Sequence, residues 1–388
     1  MKVLVWQWGR RGAGPRFAAA LADGLRLVPG TEVLLSLSGA AEILHGPAAP
    51  VAELPVTTYA SATGLLWRLV QAPSIVRHLV RTLARLRPDV AICAMPGPLD
   101  LLLMSALRRT GTPAVIVVHD ADAHLGDYVP LLMILQRRLV RRAAAVVALS
   151  QHVADRLGEQ HLVEADRLIM IPHPPFMFGP PPPPPQRHGG PLRLLCFGRL
   201  LPYKGLDLLA AALGQLGVAS GWRLRVVGSG PESRDLAALR AVPGVSVENR
   251  WVPEDEIGAL IAWADAVVLP YKEASQSGIA PAAIAAGRYV VSTRVGGLVE
   301  QLHGQPLARL CDPDAASLAA ALRDLLAAAP VATPLGSAAD PHRAWQEVAA
   351  RLLEGILSSV PGLTALPPAI GRAPHPSFAS VAQSSQIG

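Results

Sequence analysis

Six consecutive prolines at positions 180–185 divide this chain in two. Proline has a fixed φ and no amide hydrogen, so such a run joins neither a sheet nor a helix interior. It forms a stiff extended spacer, followed here by the flexible pair Gly189-Gly190. The spacer, GPPPPPPQRHGG at 179–190, separates two segments of domain size, 1–178 and 191–340.

Each segment alternates short apolar runs with amphipathic ones. In the first, MKVLVWQW, TEVLLSLS, PDVAICAM, PAVIVVHD and AAVVALS read as buried strands. Between them, PRFAAALADGLRL, IVRHLVRTLARL, DLLLMSALRRTG, Leu131–Arg142 and QHVADRLGEQ carry helical spacing. Pro15, Gly111 and Ser150 stand where helix start and stop signals belong. The second segment repeats the pattern from LRLLCF through WRLRVVG, VSVENRWV and ADAVVLPY to YVVSTRV. The predicted fold class is therefore α/β, with two doubly wound Rossmann-like domains. A helix over 341–358 is expected to cross back to the first domain, and 359–388, rich in Pro, Ser, Ala and Gly, to be a disordered tail.

Composition removes several function classes. The chain is 51% hydrophobic and 16% charged, yet no apolar run is long enough to span a bilayer. MKVLVWQWGRRGAG reads as a first strand rather than a signal peptide. Cys93, Cys196 and Cys311 lie far apart without a CxxC, which points to free thiols in a reducing cytosol and no structural zinc. The net charge of +6 is concentrated early, with 18 Lys/Arg against 13 Asp/Glu in residues 1–172. Part of that excess lies on the amphipathic segments Ile75–Pro88 and Leu131–Ala145, which suit either a membrane surface or surface helices with a solvated arginine face. Aromatics make up only 4% and no nucleic-acid module is present, so nucleic acid is not an expected partner.

The chemistry concentrates in FGRLLPYKGLDLLAAAL, Phe197–Leu213. Arg199 and Lys204 fall on the turn after one strand and before one helix. Ligands of open α/β sheets bind at such strand ends. Two fixed cations on one short turn suit a diphosphate. Lysine occurs only at positions 2, 204 and 272, so Lys204 is not one of a solubilising crowd. A basic loop capping a helix is the plainer alternative. VVGSGP places Gly228 and Gly230 straight after another strand, with Glu248 about 20 residues on, as in a dinucleotide fold. The third glycine of that motif is replaced by Ser233, so a tight turn or a nucleotide-sugar site fits better. Ser275-Gln276-Ser277-Gly278 opens an alanine-rich helix whose free N–H groups face the preceding loop, an arrangement that favours anions, with a capped helix start that holds no ligand as the alternative. Val295-Gly296-Gly297 forms another tight turn after the next strand.

GRLLPYKGLDLL, VVGSGP, ADAVVLPY, SQSGIAPAAIAAG and VVSTRVGGLVE follow one another in an order that resembles the family 4 glycosyltransferases of GT-B fold. GRRGAGP, VVHDAD, VVALSQHVADRL and IPHPPF extend the resemblance to about residues 1–357. It implies a nucleotide-diphosphate sugar held by the second domain, an acceptor held by the first, and reaction in the cleft. Arg199 and Lys204 would neutralise the diphosphate in place of a metal. The backbone of Ser277, Gly278 and Ile279 would hold the phosphate nearest the sugar, and Arg250-Trp251-Val252 would seat the base, such as that of a UDP- or GDP-sugar. Gly12 and Gly14 would lie over the phosphates, and His119 and Asp120 would face the reacting sugar. Either could serve the acceptor hydroxyl as base, with Asp122 a further candidate, while His173 reads as structural.

The chain departs from the family at one motif. The usual E-x7-E glutamates fall on Ala274 and Ala282, with Glu273 as the nearest substitute. The SQSG form resembles a branch linked with surface polysaccharide, which implies a lipid-linked glycan acceptor and association with the anionic inner leaflet. A nucleotide-sugar epimerase on the same fold and an inactive scaffold are the alternatives.

Overall fold

The apolar runs of each segment pair into one six-stranded parallel sheet. The computed structural model describes residues 1–46, 49–127, 130–178, 189–217, 221–328 and 340–363. Residues 179–188 of the expected spacer, and 364–388 of the expected tail, lie outside the described residues.

The first sheet contains β1 (Lys2–Gln7), β2 (Glu32–Leu37), β3 (Val90–Cys93), β4 (Ala114–Val118), β5 (Ala145–Ala148) and β6 (Leu168–Met170), ordered β2-β1-β3-β4-β5-β6. Its connections carry α1 (Ala13–Arg26), α2 (Ala62–Val70), α3 (Ala72–Leu86), α4 (Asp100–Thr110), α5 (Pro130–Arg142) and α6 (Gln151–Glu159). The second contains β7 (Leu192–Phe197), β8 (Trp222–Gly228), β9 (Val245–Asn249), β10 (Ala266–Leu269), β11 (Tyr289–Thr293) and β12 (Ala308–Cys311), ordered β12-β11-β10-β7-β8-β9. It is covered by α7 (Leu206–Leu216), α8 (Arg234–Ala241), α9 (Glu254–Trp263), α10 (Ile279–Ala285), α11 (Leu298–Leu302) and α12 (Ala315–Ala327). The strand order reverses beside β1 in one sheet and beside β7 in the other. Each reversal opens a crevice at the carboxyl ends of the strands. All strands are parallel, and both faces of each sheet are apolar and covered. Cys93, Cys196 and Cys311 are free and buried within these cores.

The last helix, α13 (Pro341–Ser359), belongs to the core of the first domain. Trp345, Val348, Leu352, Leu353 and Ile356 bury themselves there, and α13 packs against α1 and β6. The Trp345 indole lies between Phe17 and Phe176, with centroids 5.2 and 6.1 Å away, and its N–H donates to the Pro175 carbonyl at 2.9 Å. Burial continues to Val360, 4% exposed, with Leu363 packed beside the same core. The tail expected from residue 359 is therefore ordered in its first residues, because two apolar side chains find the core within reach.

The domains touch directly. The Ser150 hydroxyl accepts the Val153 N–H at 3.2 Å, capping α6, and donates to the Ser275 carbonyl of the other domain at 2.9 Å. The Glu300 carboxylate accepts the N–H groups of Gln151 and His152, at 2.7 and 2.8 Å, adding an anion to the positive end of α6. Arg16 of α1 pairs with Glu254 of α9.

Truncating Trp345 to alanine removes a buried indole and its hydrogen bond. The expected loss is about 3–5 kcal/mol, read from the midpoint of urea unfolding.

Candidate active site

A cavity of about 640 Å³ lies between the two sheets, at the carboxyl ends where both strand orders reverse. Fifteen of the residues singled out by sequence line it: Gly12, Gly14, His119, Asp120, Asp122, His173, Arg199, Lys204, Gly228, Trp251, Val252, Gln276, Ser277, Gly278 and Ile279. Gly230, Arg250, Glu273 and Ser275 are not part of its lining.

The cation turn runs from β7 through a short 3-10 turn, Pro202–Lys204, into α7. Gly205 follows Lys204 because its φ is 66° and a Cβ there would sit 1.7 Å from the Pro270 carbonyl oxygen. Gly228, with φ 154°, meets the same limit against the Gly198 carbonyl, also at 1.7 Å. These two glycines bring the ends of β7, β8 and β10 together around the turn.

Lys204 and Arg199 are held differently. The Lys204 ammonium lies 3.6 Å from the Tyr271 ring centroid and 4.8 Å from that of Tyr203. Burial first, and then the Arg199 charge, pull the lysine down to about 7. Arg199 donates to the Tyr203 hydroxyl at 3.0 Å and pairs with Asp127 of the first domain. Asp127, Tyr203 and Tyr271 were not anticipated. Tyr203 adjoins Lys204 in sequence, which is the one signal that could have found it. Asp127 sits in a loop without periodicity.

That loop, Asp120–Asp127, clasps the cation turn. The His124 ring stacks on Tyr203 with centroids 4.6 Å apart and 13° between planes. His124 also donates from Nε2 to Asp120 at 2.9 Å. Glu273 accepts the Leu125 N–H at 2.6 Å and lies 3.7 Å from His124 Nδ1. The expectation that Glu273 replaces a missing family glutamate is thus corrected, because its carboxylate is used by this clasp. Ala274 and Ala282 are both buried, so those positions give the cavity no carboxylate.

His119 is buried at the end of β4. Its Nε2–H donates to the Ala94 carbonyl at 2.8 Å, which leaves Nδ1 as the acceptor. Gln276 Nε2 donates to that Nδ1 across the cleft at 3.3 Å. Burial, outweighing the Ala94 carbonyl and Asp120, lowers the histidine, so it is neutral at pH 7. Burial alone would raise Asp120, but hydrogen bonds from His124 and Ser275 and the neighbouring histidines win and hold it low. Asp120 is therefore the anion and His119 the neutral acceptor. Asp122 lines the cavity as well, but its carboxylate is shared with Arg156 and Gln160, both at 2.7 Å. His173 lies behind His119, donates to the Pro174 carbonyl at 2.8 Å, and is pulled to about 4 by burial and then by His119.

Further expectations change. The Ser277 N–H is not free for a phosphate, since it donates to Gln301 Oε1 at 2.7 Å. Arg250 turns away from the cavity to Glu248 and Glu256, at 3.2 and 2.7 Å. Glu248 also pairs with Arg225, so the residue a dinucleotide fold would aim at a ribose is engaged elsewhere. Gly230 donates its N–H to Asn249 Oδ1 at 3.0 Å, and the Ser275 carbonyl accepts from Ser150. Trp251 spans the cleft mouth, its indole donating to Glu42 at 3.1 Å with the Arg11 guanidinium 5.6 Å from the ring centroid.

Two parallel sheets facing each other over an anion-adapted cavity define the GT-B class. The chain belongs to the family 4 glycosyltransferases: the profile described as Glycosyltransferase Family 4 matches residues 18–174, and that described as Glycosyl transferases group 1 matches residues 191–328. A 2-deoxystreptamine glucosyltransferase of Streptomyces kanamyceticus is 28% identical over 55% of this chain, which spans 61% of that relative's length. A GDP-mannose-dependent phosphatidylinositol monomannoside mannosyltransferase of Mycolicibacterium smegmatis is 26% identical over 74% of this chain and 81% of its own. The structure of Anabaena HepE with UDP-glucose superposes with a TM-score of 0.63 at 17% identity, covering 92% of this chain and 97% of that one.

Replacing Asp127 with asparagine removes a carboxylate that occupies Arg199. Affinity for nucleoside diphosphates, measured by calorimetry, should rise about two- to fivefold. A fall would show that the pair builds the site rather than competing for it.

Proposed function

We propose that the protein transfers a glycosyl group from a nucleoside-diphosphate sugar to a hydroxyl of a glycan or lipid-linked oligosaccharide. The setting is assembly of a bacterial surface or secreted polysaccharide. The observation that carries this reading is the placement of Arg199 and Lys204 on one wall of the cavity, at the carboxyl end of β7. The relatives act on varied acceptors, and uridine and guanosine donors both occur among them by name.

In this reading the donor diphosphate lies against Arg199 and Lys204, with Gly278 and Ile279 beside it and Trp251 towards the base. The bond between the anomeric carbon and the diphosphate oxygen breaks, and the electron pair leaves with the nucleotide. The two cations stabilise the charge that develops there, so the transfer requires no divalent metal. The acceptor hydroxyl oxygen bonds to the anomeric carbon and releases its proton. Asp120, ionised and on the cavity wall, would assist that release. His119, neutral, accepts the Gln276 Nε2–H at Nδ1 and so would hold that amide in place beside the sugar. Gln276 Oε1 is buried without a partner, which leaves an acceptor for a further sugar hydroxyl.

An inactive scaffold would have no use for a buried lysine beside an arginine, so the retained cations favour catalysis over that alternative. The basic helices α3 and α5 would hold the protein at the anionic inner leaflet, where a lipid-linked acceptor resides. Among the described residues no helix is long and apolar enough to cross the membrane, so the contact would be peripheral.

The test is release of nucleoside diphosphate from a panel of sugar nucleotides with lipid-linked acceptors. Lys204→Ala and Arg199→Ala should each lower turnover by about 10²–10³. Unchanged turnover in either variant would overturn the assignment of the diphosphate to these cations.

A further inference from the structure

Helix α2 buries none of its residues. Leu66, Trp67, Leu69 and Val70 are 63, 61, 46 and 70% exposed, while Leu65 rests on the core. Four large apolar side chains on one short helix form a contiguous ridge in water, and such ridges mark interaction surfaces. Helix α3 follows directly through Gln71. Its Val76, Leu79 and Leu83 face the core, while Arg77, Arg81 and Arg85 are exposed. From Leu54 to Pro88 the chain holds Arg68, Arg77, Arg81, Arg85 and Arg87 and no Asp or Glu.

This face adjoins the cavity. Arg10, which lines it, donates from Nη1 to the Ala60 carbonyl at 3.3 Å, and Ser61 then caps α2 by accepting the Gly64 N–H at 3.1 Å.

We propose that α2 and α3 form the docking face for an anionic lipid bilayer, with the apolar ridge of α2 entering the headgroup boundary and the α3 arginines lying on lipid phosphates. Tryptophan beside leucine and valine, flanked by arginine alone, is the composition of a helix that lies in an interface. A nucleic acid would engage the arginines but leave Leu66, Trp67 and Val70 in water. A second copy would bring two arginine-rich, acid-free faces together against their mutual repulsion. The inference rests on the glycosyltransferase reading in one respect: it gives a lipid-linked acceptor a route from the bilayer to the Arg10 rim of the cavity.

The experiment is co-sedimentation of the full chain with vesicles of phosphatidylcholine alone or with added phosphatidylglycerol, at about 0.1 M salt, where screening reaches about 10 Å. The wild type should pellet with phosphatidylglycerol vesicles and weakly with phosphatidylcholine. The combined variant Leu66→Ser, Trp67→Ser, Val70→Ser should lower partitioning about a hundredfold with an unchanged melting temperature, since these side chains are exposed. The combined variant Arg77→Gln, Arg81→Gln, Arg85→Gln should remove most of the preference for the anionic lipid. A wild type that stays in the supernatant, or a ridge variant that pellets like the wild type, would overturn the proposal. So would a wild-type dimer in light scattering that the ridge variant makes monomeric, which would assign the face to a second copy. Vesicle binding needs neither donor nor acceptor, so it stands or falls separately from turnover.

Discussion

A lysine drawn out of water next to an arginine is unfavourable until an anion completes the site. Lys204 is in that position: aromatic rings surround its ammonium, Arg199 stands close, and its pKa is pulled to about 7. Much of the second domain serves to hold it there. The contacts of Gly205 with Pro270 and of Gly228 with Gly198 leave no room for a side chain, so the ends of three strands converge on the turn. On the proposed reading a diphosphate would supply the missing charge, and its binding would return the lysine to its protonated form.

The first domain meets this turn with groups of complementary character. Asp127 occupies Arg199, His124 stacks on Tyr203, and Glu273 receives the Leu125 N–H. A carboxylate thus stands beside the guanidinium that the proposed function assigns to phosphate. On the proposed reading donor binding would exchange one anion for another and so couple donor entry to the loop that carries Asp120 and Asp127. The buried histidines His119 and His173 behind that loop add no positive charge to the cavity wall.

The doubly wound architecture was legible because parallel strands buried on both faces leave continuous apolar runs, such as LRLLCF and AAVVALS. Helix ends at Gly111 and Ser150 were legible from local chemistry. Other elements escaped notice for physical reasons. β12 has only four residues and most are half-buried, and α2 has no buried face to create a period. The cation pair was readable because lysine is rare in this chain. Its aromatic and acidic neighbours were not, since Tyr271 and Asp127 reach Lys204 and Arg199 only through the fold. Arg250 misled because sequence position does not reveal that Glu248 and Glu256 engage its guanidinium.

The central claim is that Lys204 meets the donor diphosphate as a charged group. Titration calorimetry of UDP, GDP and ADP at about pH 8, in buffers of differing ionisation enthalpy, counts the protons taken up on binding. The account predicts that one of these nucleotides binds the wild type with uptake of close to one proton, and that Lys204→Ala loses both the uptake and most of the affinity. The sign follows from the lowered pKa: the free lysine is largely neutral at that pH, and the diphosphate raises it. Binding without proton uptake that Lys204→Ala leaves unchanged, or no binding by any of the three, would contradict it.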